Sequence, residues 1–419
     1  MKNIGAKFNV YVMLKKLLMF LNDTAHVFTS ELKEPFLDAG AFLMFIIAMV
    51  AYPVAYSIGY VKETVRDIPV AVVDMDHTAL SRQYSRMADA TEQVKILCKS
   101  GSLNEAEQLF YSGKVDGIVL IPDKFEKDVL SGKQTNITVY CDAGHLLLYK
   151  QVFAANSYAS GMLNAGIVVR NLMAKGKSMN QALVTREPLE VETYNLFNPS
   201  GGYGTFVVPS ILLIVIQQTL VIGIGLLFGK NYEKRKNKHF IEMLSRMGRS
   251  VSIVVGKSFA YIFVYLFTTL FLLGFFYRWL HFPDKNSFLE VYYLLIPFLF
   301  AVAFMGIAIG VLFRKRVQPL LFIVFISPTV YFLSGASWPV QALPGLLKGI
   351  SYILPTTPMI DAFFKLRICG ADLHSLSFEW NMLCIQMIVY FILACIAIKF
   401  GLKDKPMETD IPEAIINNK

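Results

Sequence analysis

Residues 204–229 read GTFVVPSILLIVIQQTLVIGIGLLFG, with no charged side chain. An α-helix rises about 1.5 Å per residue and a bilayer's hydrocarbon core is about 30 Å thick, so about 20 such residues cross it. This run is long enough, and it is apolar all round rather than on one stripe, as a lipid-crossing or fully buried helix must be. Working outward, similar uncharged runs lie at residues 40–60, 258–277, 291–313 and 317–338, with a slightly shorter one at 381–398, followed by Lys399. Residues 343–364 are also apolar but contain Pro344, Lys348, Pro355, Pro358 and Asp361. A Lys or Asp at the bilayer centre costs about 2.5–3.5 kcal/mol, so this stretch reads as short re-entrant or surface helices rather than a span. The chain has 419 residues, of which 17% are charged and 55% hydrophobic, with mean hydropathy +0.48. Soluble domains carry about 25% charged residues, and here the deficit is concentrated in the long runs. The expected fold class is a polytopic α-helical membrane protein of about six transmembrane helices.

The basic residues set the expected orientation. Lys230, Lys234, Arg235, Lys236, Lys238, Arg246, Arg249 and Lys257 follow the second run. Arg314, Lys315 and Arg316 follow the fourth, and Lys399, Lys403 and Lys405 follow the last. The alternate loops are poorer in Lys and Arg. By the positive-inside rule both termini lie in the cytoplasm, and the segment between the first two spans lies outside. The net charge of +9 is accounted for by this clustering beside apolar runs, where anionic lipid and topology explain it better than nucleic acid does. The expected division is an amphipathic cytoplasmic arm over 1–38, the first span over 39–60, an extracytoplasmic α/β domain over 61–203, the remaining five spans over 204–400, and a cytoplasmic tail over 401–419. Within the 204–400 segment fall a cytoplasmic loop at 230–257 and re-entrant outer helices at 339–378.

In the arm, Val10, Leu14, Leu17, Leu18, Leu21, Ala25, Phe28 and Leu32 recur at helical spacing, while Asn22, Asp23, His26, Thr29 and Lys33 occupy other faces. That pattern predicts an amphipathic helix on the inner membrane surface. Lys15 and Lys16 interrupt its apolar stretch, unlike the core of a cleavable signal. In the inserted segment, residues 68–74, 94–97, 115–121 and 137–140 read as strands, with a polar strand around 189–194. Helical patterns cover 79–90, a stretch opened by the Ser102/Glu105 capping pair and running to Tyr111, a stretch beginning at Asp123 with Glu126, and 146–174. Alternating strands and helices predict a small α/β domain.

Little in the sequence marks catalytic chemistry. Asp74 and Asp76 end the first strand and could hold a cation or take a phosphoryl group, but a strand-to-helix turn with Asp76 or Thr78 as the cap explains them more simply. The five cysteines form no CxxC, and no Cys/His spacing suits zinc. A disulfide between Cys98 and Cys141 is compatible with the sequence, as are two free thiols. Asn136-Ile137-Thr138 matches a glycosylation sequon, a weak three-residue signal. No GxxxxGK[ST] phosphate loop occurs, so no cofactor or nucleotide site of the chain's own is expected.

Two places point to function. Gln217 and Gln218 lie near the middle of the second span, where amides need partners; they could line a transport path or simply tie helices together. In the cytoplasmic loop, Phe240, Met243, Leu244 and Met247 share one helical face, with Glu242 elsewhere. A short helix with an apolar face suits docking into a groove on a soluble partner, or lying on the inner leaflet.

The order of elements resembles the permease subunits of ABC exporters of the type-2 class, specifically the subgroup with a large domain between the first two spans, over essentially the whole chain. Residues 68–76 (IPVAVVDMD) with Ala79-Leu80-Ser81-Arg82 look like the opening of that domain. Residues 116–122 (DGIVLIP) with Phe125 look like its third strand. Tyr194-Asn195, Phe197-Asn198-Pro199 and Val207-Val208-Pro209 resemble the entry to the second span, and Gly256-Lys257 the start of the third. Ser334-Gly335, Trp338-Pro339, Leu343-Pro344 and residues 354–358 (LPTTP) resemble the paired helices before the last span. Members often carry a Glu-rich stretch with Gly-Thr before the coupling helix; here Glu233 is followed by Lys234-Arg235-Lys236-Asn237-Lys238-His239.

The resemblance implies a permease without its own ATPase site, working with a separate ABC ATP-binding subunit and a second permease copy or paralogue. It implies that Phe240, Glu242, Met243, Leu244 and Met247 form the coupling helix, and that the second and fifth spans, with Gln217 and Gln218, line the path. It implies a bacterial inner membrane. Exporters of this subgroup often use a periplasmic adaptor and an outer-membrane channel. Two other classes fit the span pattern: a membrane-embedded transferase, which the sparse Asp and Glu near span ends disfavour, and a non-transporting receptor or assembly factor acting through its outer domain.

Overall fold

A computed structural model of the chain describes residues 2–60, 64–187, 189, 194–199, 201–233 and 250–401, with side chains from residue 13 onward. The chain divides into two compact units, Met1–Val61 with Leu196–Lys419, and Lys62–Asn195.

The first unit is helical. Its long apolar helices are span 1 (Ala39–Gly59), span 2 (Tyr203–Glu233), span 3 (Ser250–Trp279), span 4 (Phe288–Gly310) and span 6 (Ser377–Gly401); span 5 (Gln318–Leu333) is shorter. Its 16 residues reach about 24 Å as a helix. It ends early because the chain turns at Gly335, whose φ of +90° is the left-handed region that favours glycine. Span 3 begins before Lys257, earlier than the uncharged run at 258–277, because that lysine's charge is paired inside the protein. Between spans 5 and 6 lie two short helices, Gly345–Ser351 and Thr356–Phe363, and a π-helical turn, Phe364–Cys369.

Span 2 is the centre of the bundle. Leu213, Ile216, Leu220 and Ile224 are fully buried, and their spacing of three and four residues sets them along one helical face. They share a core with Phe45 and Met49 of span 1, Tyr261 and Tyr265 of span 3, and Leu299, Val302 and Ala303 of span 4. A Cβ at Gly223 would collide with the Phe45 ring, so glycine sets how closely spans 1 and 2 approach, as small residues do where membrane helices pack.

The N-terminal helix, Lys2–Glu31, packs its last turns on span 3. Val27 is fully buried, and the Phe28 and Phe263 rings meet edge to face at 6.2 Å. A Cβ at Gly256 would lie 2.7 Å from Val27 Cβ and 2.8 Å from the Thr24 carbonyl oxygen. Val27 is not among the residues of the expected apolar face; tertiary contact selects it, while Leu14, Leu17, Leu18 and Leu21 remain exposed.

The second unit is an α/β domain with sheet order β2-β1-β3-β4. Strands β1 (Ile68–Asp74), β2 (Val94–Ser100) and β3 (Gly117–Ile121) run parallel, and β4 (Thr138–Cys141) is antiparallel to β3. Strand β1 is central and buried on both faces. Ile68, Val70 and Val72 pack with Leu80 and Tyr84 of the helix Ala79–Asp89 and with Val152, Ala155, Ala159 and Leu163 of the helix Leu146–Ala174. Ala71 and Val73 face the other way, toward Ala106 of the helix Leu103–Tyr111. The helix Leu146–Ala174 is long and apolar enough to cross a membrane, but the sheet covers one face of it. The helix after β3 starts at Phe125 rather than Asp123, because Lys124 takes a left-handed φ of +62°. The expected polar strand around 189–194 lies largely outside the described residues.

The protein is thus a polytopic α-helical membrane protein with an inserted α/β domain.

Candidate functional site

Two groups of polar contacts tie span 2 to its neighbours. The first is the end at which the N-terminal helix meets spans 2 and 3. Lys257 is 1% exposed and Glu31 6% exposed, far below what charged side chains tolerate unpaired. Lys257 Nζ is ion-paired to Glu31 Oε1, and the Tyr261 hydroxyl donates to Glu31 Oε2 at 2.7 Å. The Phe228 ring of span 2 lies 5.1 Å from Lys257 Nζ, a cation–π distance.

A second cluster adjoins it in sequence. Asp38 caps span 1 by accepting from the Ala41 N–H at 2.9 Å and pairs with the Arg316 guanidinium. Lys230, at the end of span 2, donates to Glu34 at 2.7 Å and lies 3.5 Å from Asp38. Glu233 accepts from the Arg316 backbone N–H at 2.9 Å. Together these contacts clasp the N-terminal helix and the start of span 1 to the helices on either side of residues 234–249. Lys230 and Arg316 read from the sequence only as topological charges, and Lys257 as one of these and as part of the pair opening the third span; their partners Glu31, Glu34 and Asp38 are not marked by it. The available signal was three carboxylates just before an uncharged run, where nothing in water would require them.

The second place is mid-span. Gln217 is 3% exposed, and its Oε1 accepts from the Thr356 N–H at 3.2 Å, satisfying a donor in the first turn of a short helix. Gln218 Nε2 donates to Ser327 Oγ of span 5 at 2.9 Å. Tyr265 of span 3 donates to Thr219 at 2.9 Å. Successive residues of span 2 thus carry polar ties to three other elements, and both amides face protein. Phe240, Glu242, Met243, Leu244 and Met247 lie outside the described residues.

In the α/β unit the acidic turn works as a cap. Asp74 Oδ1 accepts from the Asp76 and His77 N–H groups, at 3.1 and 3.0 Å, and Oδ2 accepts from Ser81 Oγ at 2.8 Å. Asp76 Oδ2 accepts from Thr78 Oγ1 at 2.5 Å and from the Glu126 N–H at 3.0 Å. Partial burial opposes the Asp76 charge, but these bonds and those from the Phe125 and Lys124 N–H groups outweigh it and hold its carboxyl below the ordinary range. Among the described residues no group of three or more His, Cys, Asp or Glu is placed to hold a metal. Cys98 lies on β2 and Cys141 on β4, three strand spacings or about 14 Å apart. A disulfide needs its Cα atoms within about 7 Å, and both thiols are free.

Residues 39–396 match the family described as "ABC-2 family transporter protein". The chain is 24% identical over 316 residues to the "Inner membrane transport permease YhhJ" of Escherichia coli (strain K12), covering 72% of this chain and 77% of that protein. It is 22% identical over 305 residues to the "Probable multidrug ABC transporter permease YbhS" of the same organism, covering 72% and 74%. It is 23% identical over 315 residues to the "ABC transporter G family member 20" of Dictyostelium discoideum, covering 73% of this chain and 41% of that protein.

Proposed function

The chain belongs to the ABC-2 family of transporter proteins and is a multi-pass membrane permease of an ABC transporter; on that premise we propose that it serves an ATP-driven exporter. It moves substrate out of the cytoplasm or inner membrane of a bacterial cell while a separate ABC ATP-binding subunit hydrolyses ATP. A second permease copy or paralogue completes the membrane part, and a periplasmic adaptor and an outer-membrane channel are its further partners. Both termini lie in the cytoplasm and the α/β unit lies outside.

The observation that carries this reading is the clasp of Glu31 with Lys257 and Tyr261, and of Glu34 and Asp38 with Lys230 and Arg316. It joins the helices entering and leaving residues 234–249 to the N-terminal helix, so force applied to that loop reaches spans 1, 2 and 3 together. A helix over Phe240, Glu242, Met243, Leu244 and Met247 is the element on which the ATPase acts. Gln217 and Gln218 are the polar points of the path, since movement of span 2 against span 5 and the short helix at Thr356 must break and remake their bonds.

Replacing Met243 and Leu244 together with Asp tests the coupling role. Burying an unpaired charge in the docking groove costs several kcal/mol, an affinity loss of orders of magnitude. The variant should still insert and fold, and should lose both co-purification with the ATPase and export. Unchanged binding of the ATPase would move the coupling role elsewhere. If no ATPase co-purifies with the unaltered chain, a receptor acting through the α/β unit becomes the better reading.

A further inference from the structure

A pocket of about 200 Å³ opens in the bundle where span 2 begins, between the end of span 5, the two short helices and the start of span 6. Two aromatic pairs line it, Phe206 with Phe364 at 6.2 Å between ring centroids and Tyr352 with Phe378 at 6.0 Å. Two carboxylates, Asp361 and Glu379, also line it. Lys365 Nζ donates to one oxygen of each, at 3.0 and 2.6 Å. The trio therefore keeps one net negative charge. Glu379 is 3% exposed, and its Oε2 has no hydrogen-bond partner among the described residues, an arrangement that is costly for a buried carboxylate unless positive charge nearby offsets it.

The walls are braced. Gln386 and Tyr390 of span 6 donate to the carbonyls of Tyr352 and Ile353 at 2.6 and 2.5 Å. Thr357 donates to the Ser351 carbonyl at 2.7 Å. The left-handed turn at Gly335 brings Val340 back against the pocket's rim.

Aromatic faces with unbalanced negative charge are the chemistry that recognises organic ammonium ions. An anion would meet Asp361 and Glu379, and a neutral apolar ligand would leave their charge unanswered. We propose that this pocket binds an organic ammonium group carrying a small apolar substituent. The carboxylates supply the counter-charge and the four rings supply π faces and apolar contact. The volume suits a headgroup-sized cation, below the 300–1,000 Å³ of drug-sized sites. The same chemistry is offered by an aminophospholipid headgroup and by a free amphiphilic amine. The site is independent of the direction of transport proposed above.

The test is saturation binding of radiolabelled benzyltrimethylammonium to the full-length protein in uncharged dodecyl maltoside micelles. Its neutral isostere, neopentylbenzene, serves as the control competitor. One saturable site per chain is expected, with no competition from the isostere at equal concentration. Glu379→Gln should weaken binding about tenfold or more. Phe364→Leu keeps an apolar side chain but removes a π face, and should weaken it about threefold to tenfold. That variant carries the test if Glu379→Gln does not fold. Competition by added phosphatidylethanolamine, but not phosphatidylglycerol, marks a lipid headgroup as the source; competition by neither marks a free cation. Both results support the site. Non-saturable binding, equal competition by neopentylbenzene, or unchanged affinity in both variants overturns it.

Discussion

Lys257 and Glu31 show how single charges are placed in this bundle. Each alone would be a buried ion, and removing one partner of such a pair costs about 3–5 kcal/mol because the other is left uncompensated. Lys257→Met should therefore lower the unfolding temperature in detergent sharply. Adding Glu31→Gln should restore much of the loss, since the pair then becomes neutral. If the double variant is no more stable than the single, Glu31 is held by something other than Lys257. Gln217 presents a different case. Leucine in its place leaves the Thr356 N–H without its partner, costing about 1–3 kcal/mol. If Gln217 also serves the path, Gln217→Leu should change export rate or substrate range beyond what its lowered stability explains. A stabilised background carrying the same substitution with normal export would limit Gln217 to helix packing.

Among the elements, the turn from β1 into its following helix shows most plainly how a sequence motif with two readings is decided. Every side-chain bond described for Asp74 and Asp76 goes to the turn itself, to Ser81 in the first turn of the helix Ala79–Asp89, or to the start of the helix Phe125–Leu130. The carboxyl of Asp76 titrates below its ordinary value in the folded chain. A depressed carboxylate stabilises the folded state above the unfolded pKa, about 3.9, and that contribution fades as pH falls through the folded value. Hydrogen-exchange protection in β1 and the helix Phe125–Leu130, taken relative to the intrinsic rate at each pH, should therefore fall below about pH 4. Asp76→Asn, which keeps an acceptor but no charge, should flatten that part of the acid response. An unchanged pH profile in the variant would assign the acid sensitivity to other carboxylates. The helix Leu146–Ala174 gives the complementary lesson: apolar length alone makes it a span, and only its contact with β1 makes it part of the α/β unit.

For the whole molecule the outstanding property is sidedness. Lys and Arg crowd residues 230–257 and 314–316, which the positive-inside rule leads one to expect on the cytoplasmic side. A protease site inserted at Gly113, an exposed left-handed turn, should be cut by protease added outside spheroplasts. One inserted at Asn237 should be protected until the membrane is opened. The opposite pattern would reverse the orientation and with it the proposed direction of transport.

The sequence by itself determined that this chain crosses a membrane several times and carries an inserted α/β segment. Both follow from local properties, since a run such as 204–229 has nowhere else to go and strand and helix periods are written residue by residue. It also brought out Gln217 and Gln218, because an amide in hydrocarbon is conspicuous wherever it points. Only the tertiary structure decided which partners they take, Thr356 and Ser327, more than 100 residues away. It alone paired Glu31 with Lys257, separated Cys98 from Cys141, and set Asp361 and Glu379 beside four aromatic rings in one pocket. Those outcomes depend on which helices become neighbours, and neighbours are chosen by shape, as at Gly223 and Gly256, where a missing side chain lets two helices close. Hydropathy along the chain records the cost of leaving water, but it holds no record of what a buried group meets on the other side.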